Sequence, residues 1–148
     1  MQNMAFSVLP NVGGSALFVI VISASAPSTT EWTAYIRALQ KLPQLDDLKT
    51  LVITEGGGPD SVQRRLVIDL MKGKPTLTCM VSNNPVVRGL TVALSWFNPG
   101  IRSFPLDRID DGLRHLQLAP MWHDQVWKDI RRLRADVGAT PIAPAARV

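Results

Sequence analysis

Apolar positions along this chain follow two alternating rhythms. Ala5-Phe6-Ser7-Val8-Leu9 alternates with a period of two, and Pro10 to Gly14 then supplies turn chemistry. Ala16 to Ile22 is β-rich and apolar at every position, as expected of a central strand covered on both faces. The two runs can form a hairpin. Ser28-Thr29-Thr30-Glu31 has capping-box spacing, and Trp32, Tyr35, Ile36 and Leu39 follow at helical intervals up to Pro43. Leu48 to Thr54 is the next strand. Val62, Leu66, Val67, Leu70 and Met71 then form a helical stripe that Gly73 ends.

The alternation continues with a strand over 76–82. Asn83-Asn84-Pro85 caps a helix carrying Val86, Val87, Leu90, Ala93, Leu94 and Phe97, and Asn98-Pro99-Gly100 stops it. Trp96 and Phe97 form an aromatic ridge at its end. Ile101 to Phe104 is a short edge strand. Leu106, Ile109, Leu113 and Leu116 mark a helix with Asp107 as its cap. A last helix, 120–136, opens at Pro120 and places Trp122, Val126, Trp127, Ile130 and Leu133 on one face, with Lys128, Arg131, Arg132 and Arg134 mostly off it. The segment 137–148 is rich in Ala and Pro, lacks periodicity and reads as a flexible tail. The summed order is β-β-α-β-α-β-α-β-α plus a terminal helix. It predicts one α/β domain over 1–136, with a mostly parallel sheet of four to five strands and right-handed crossovers.

Size and composition agree. The chain has 148 residues, 46% hydrophobic and 19% charged, which suits one globular core. Its formal charge of +4 and pI near 9.7 are basic, yet the Lys and Arg residues are scattered before the last helix, so nucleic acid is not an expected partner. The single cysteine, Cys79, sits in an apolar run as a core residue, which fits a reducing cytoplasm. The apolar stretch from Ala16 to Ala26 follows no basic residue and is too short for a bilayer, so neither a signal peptide nor stable membrane insertion is expected.

Candidate chemistry concentrates between Leu51 and Arg65. A buried strand runs into Glu55-Gly56-Gly57-Gly58-Pro59, and Asp60-Ser61 opens a helix. In open α/β folds such loops, at the carboxyl ends of strands, meet ligands and partners. Three glycines read as a flexible loop, and Asp60 or Ser61 as a helix cap. The phosphate-loop pattern would need a Lys after its last glycine and the dinucleotide fingerprint a different glycine spacing; neither is present. The two histidines, His115 and His123, lack metal-ligand spacing, and the pairs Asp46-Asp47 and Asp110-Asp111 do not share a helical face. No cofactor, metal or catalytic residue is expected.

The element order, the Asp60-Ser61 pair at the second helix start, and the run Ile101-Arg102-Ser103-Phe104-Pro105-Leu106-Asp107-Arg108-Ile109-Asp110-Asp111-Gly112-Leu113 resemble the STAS domain of the anti-sigma-factor antagonists. They resemble as well the wider STAS-like group related to lipid-binding modules. The resemblance covers roughly residues 5–118. It implies a bacterial, non-catalytic regulatory module whose helix-start serine, here Ser61, is phosphorylated to switch partner binding. This chain departs from the family's Ser/Thr-Gly-Leu continuation, with Val62-Gln63 after the serine, and Gly56-Gly57-Gly58-Pro59 replaces the usual loop.

The expected contact surface therefore comprises Gly56, Gly57, Gly58, Asp60, Ser61, Arg64, Arg65 and Arg88, facing an acidic protein partner. Trp122 and Trp127 of the last helix are a second surface, for a partner or a homodimer, since Trp and Arg are enriched at interface hot spots; equally, the tryptophans can pack on their own domain. The alternatives to the regulatory reading are a domain binding an anion, nucleotide or lipid near the glycine loop, and a structural subunit that self-associates through the tryptophan helix.

Overall fold

The computed structural model describes residues 2–74, 76–96 and 98–144. Strands β1 (Met4–Leu9), β2 (Leu17–Ile22), β3 (Lys49–Thr54), β4 (Leu77–Val81) and β5 (Ile101–Phe104) alternate with helices α1 (Thr29–Gln40), α2 (Ser61–Met71), α3 (Pro85–Ser95) and α4 (Ile109–His115), and α5 (His123–Asp136) follows. The strands lie side by side in sequence order. β1 and β2 are an antiparallel hairpin, and every later pair is parallel.

Sequential parallel order with right-handed crossovers sends α1, α2 and α3 over one face of the sheet. The other face is left for α4 and α5. β2, all six of whose residues are buried, supplies both cores by simple alternation. Phe18, Ile20 and Ile22 join Trp32, Tyr35, Leu39 and Met71 on the first face. Leu17, Val19 and Val21 join Cys79, Phe104, Leu113, Val126, Trp127 and Ile130 on the second. Burial pushes the Cys79 thiol up to about 12, against a smaller opposing pull from Arg102. No helix among the described residues is long and apolar enough to cross a membrane.

Four details depart from the sequence reading. Ser28 and Glu31 do form the capping box of α1, but Asp107 caps nothing: it lies in a 3-10 turn, Leu106–Arg108, and α4 starts without a side-chain cap. The stripe of α2 is rotated. Val62 and Leu66 are exposed, whereas Gln63 and Met71 are buried. Gln63 is drawn inward because its Nε2 donates to Pro27 O at 3.1 Å and its carbonyl accepts from Trp32 Nε1 at 2.9 Å. In α3 only Thr91 is buried, because this helix packs on β5, a four-residue edge strand too short to cover its flanks. Phe97, assigned to this helix and its aromatic ridge, lies outside the described residues.

The fourth detail is the chain after α5. Val137 is buried, and Ala139 and Ile142 pack on the second core. Arg134, expected mostly off the buried face, is only 2% exposed and donates twice to Thr140 O, at 2.9 and 2.7 Å. These bonds hold the segment 137–142 against the domain.

Candidate functional site

The loops at the carboxyl ends of the parallel strands form one rim. It is built from 23–28 after β2, 55–60 after β3, 82–84 after β4 and the turn after β5. Hydrogen bonds tie the loops of this rim to one another. Thr54 Oγ1 donates to Gly57 O at 2.6 Å and accepts from Gly56 N at 3.0 Å. Gly57 N donates to Ser23 O at 2.9 Å, tying the glycine loop to the neighbouring rim segment. Ser82 Oγ donates to Thr54 O at 2.8 Å and accepts from Asn84 N at 3.1 Å, which joins the third loop to the second.

Each glycine has a separate role. Gly56 takes φ +136°, and a side chain there would meet Asn84 Nδ2 at 2.9 Å. Gly57 is buried, and a Cβ would clash with the carbonyl oxygens of Ser25 and Ser23. Gly58 has open space around it. The expected flexible loop is therefore a close-packed turn, because Gly56 takes a left-handed φ and Gly57 lies against the backbone of Ser23 and Ser25.

The start of α2 resolves which residue caps it. Asp60 Oδ1 accepts from Gln63 N at 2.7 Å, and Gln63 Oε1 accepts from Asp60 N at 3.0 Å, a reciprocal capping box. Ser61 is the first helical residue, exposed, and its hydroxyl has no hydrogen-bond partner among the described residues. Arg64 NH1 donates to Pro59 O at 3.0 Å, and Arg65 forms a solvent-exposed pair with Asp69 at 3.3 Å.

The structure thus brings Gly56 to Arg65 together and leaves the other candidates elsewhere. Arg88, on α3, lines a shallow depression with Pro85, Gly89, Val92 and Ser103, toward the β5 edge. Trp122 and Trp127 belong to the opposite face of the sheet. Trp127 is 5% exposed and donates from Nε1 to Asp110 Oδ1 at 2.9 Å, and Trp122 packs on the same core. Burial removes Trp127 from any contact surface. His115 lies 3.0 Å from Gly100 O, just before β5 begins, and His123 lies 3.2 Å from Leu118 O. Gly100 marks the end of the sheet opposite the rim, so His115 does not meet Ser61. A cleft of about 640 Å³ also lies at that far end, lined by Gly13, Gly14, Asp47, Lys49, Thr76 and Gln117, not beside the glycine loop.

Several rim residues had no sequence signal of function: Thr54, Gln63, Ser82 and Asn84 read as strand, helix and cap positions. Arg134 belongs with them. Its NH1 lies 2.7 Å from Glu55 Oε1, so a buried arginine of α5 braces the first residue of the glycine loop.

A solved structure from Shewanella loihica PV-4, described as an uncharacterized protein from the DUF3478 family with a SpoIIAA-like fold, superposes on this chain with a TM-score of 0.55. The match covers 78% of this chain and 95% of the other, at 12% identity. The fold is SpoIIAA-like. This is the STAS-type architecture expected from the element order, with α5 added. No family model matches the sequence, and no curated protein matches it.

Proposed function

We propose that the protein is a non-catalytic regulatory or adaptor module that binds another protein through the Gly56–Arg65 rim, with Ser61 as the switch position. One observation carries this reading: Asp60 caps α2, so the Ser61 hydroxyl is exposed and uncommitted at the first helical position. A phosphate on Ser61 would sit at the positive end of the helix dipole, a gain of about 0.3–1 kcal/mol opposed by the neighbouring Asp60 carboxylate. Exposed Arg64 and Arg65 on the same helix supply contacts for an acidic partner. The hydrogen bonds that join the rim loops support recognition by shape, since a tied loop needs less ordering on binding. His115 lies by Gly100 at the other end of the sheet, which argues against a Ser61–His115 pair.

The test is mass spectrometry of the protein purified from its native host. It reads Ser61 occupancy and the co-purifying proteins in one experiment. A phosphorylated fraction at Ser61, with a partner whose recovery differs between the two forms, is the expected result; a partner indifferent to Ser61 overturns the reading.

A further inference from the structure

We propose that α3 is a self-association surface, through which two copies of this chain pair with their α3 helices crossing at Gly89 and Ala93. This goes beyond the reading of the α2 rim and does not depend on it. Val86 is 79% exposed, Leu90 57%, Val92 51%, Leu94 45% and Trp96 79%. Together these side chains present on the order of 600 Å² of apolar surface, at the top of the roughly 300–600 Å² range of the largest patch on a monomer and approaching the ~800 Å² that each partner contributes to a standard interface.

The shape of the helix favours a second copy as the occupant. Gly89 and Ala93 are exposed and one turn apart, so they form a low point on the outer face. A Cβ built on Gly89 meets nothing within 4 Å, which leaves that low point open to a neighbouring helix. Val86 and Leu90 stand toward one end of it and Trp96 toward the other. A two-fold crossing at the low point brings the Trp96 ridge of each copy toward the Val86 turn of its mate, as an isologous contact requires.

Charge points the same way. The eleven residues of α3 carry one charged group, Arg88, and it lines the depression beside Ser103 of β5. Pairing leaves both copies of Arg88 at the rim of the contact, where water screens them. A face with so little charge gives a charged partner nothing to pair with, whereas the cores of homodimer interfaces are apolar and depleted of charge.

Sedimentation equilibrium over a concentration series, on wild type and Gly89→Glu, tests this. The substitution removes a glycine from a helix interior and meets no neighbour, so the monomer folds with an unchanged or raised melting temperature. In the dimer it sets two carboxylates against each other at the crossing. The expected result is a concentration-dependent dimer for wild type and association weakened roughly 30-fold or more for Gly89→Glu, the scale of a hot-spot loss. Wild type that stays monomeric, or an equally tight Gly89→Glu dimer, overturns the proposal. A monomer that co-sediments with phosphatidylglycerol vesicles in a Trp96-dependent way overturns it in favour of a lipid surface.

Discussion

Arg134 near the end of α5 and Glu55, the residue that follows β3, are joined by an ion pair of 2.7 Å across 79 positions of sequence. The two ends of the pair differ in exposure: the arginine side chain is 2% exposed and the glutamate 40%. The arginine also holds Thr140 O. Its removal therefore empties buried volume and frees the following segment at once. Arg134→Ala is expected to cost about 3 kcal/mol, because it empties a buried side chain and leaves Thr140 O without its two donors. Glu55→Gln keeps an oxygen acceptor for the buried guanidinium at a site water reaches, so it is expected to cost less, about 1 kcal/mol. Urea unfolding of the two variants, at matched slope, measures both. Equal costs would mean that the pair, rather than the burial of one member, sets the stability.

The glycines separate by position. Gly57→Ala drives a methyl group into the carbonyls of Ser25 and Ser23. It is expected to cost about 2–3 kcal/mol, as for other overpacked sites. Gly58→Ala has open space and no positive φ, so it is expected to fall within about 0.5 kcal/mol of wild type. Thermal melts of the two single variants check this. Comparable melting temperatures would contradict the close-packed account of the loop.

Glu31 ties the start of β1 to the start of α1, accepting from Asn3 N and Ser28 N at 2.8 Å and from Met4 N at 3.0 Å. Partial burial works against its charge, but the hydrogen bonds from Ser28, Met4 and Asn3 outweigh it and hold the carboxyl below its ordinary value of 4.5. A depressed folded-state value stabilises the fold fully above the ordinary value, and that stabilisation is lost as pH falls through the lowered one. Wild type is expected to exceed Glu31→Gln by about 1 kcal/mol at neutral pH, with the gap shrinking as pH falls below the ordinary value of 4.5. A gap that does not change with pH would contradict this.

Much of the fold was legible because its signals are local. The all-apolar β2 announced a two-faced sheet, and Ser28 with Glu31 announced the start of α1. Burial on the later helices was less legible. In α2 apolar residues surround the axis, and the side that faces the sheet was decided by Gln63, a polar residue held by Pro27 and Trp32 from another part of the chain. In α3 an apolar pattern suggested burial, but the short β5 beneath it leaves most of that pattern exposed. On the last helix the apolar face with Trp127 packs on its own domain, one of the two readings its pattern allowed, while Arg134 looked solvated and is not. Pairings such as Arg134 with Glu55 leave no mark on local spacing, and so the residues that brace the candidate site were the least visible part of it.

The central claim is that the α2 start is a recognition surface governed by Ser61. The most direct measurement is a pull-down titration, using the partner that co-purifies from the native host, against wild type, Ser61→Ala and Ser61→Asp. The hydroxyl is uncommitted, so Ser61→Ala is expected to bind like wild type. Ser61→Asp is expected to change the affinity by roughly tenfold or more, about 1.4 kcal/mol. Equal affinities for all three proteins would contradict the account.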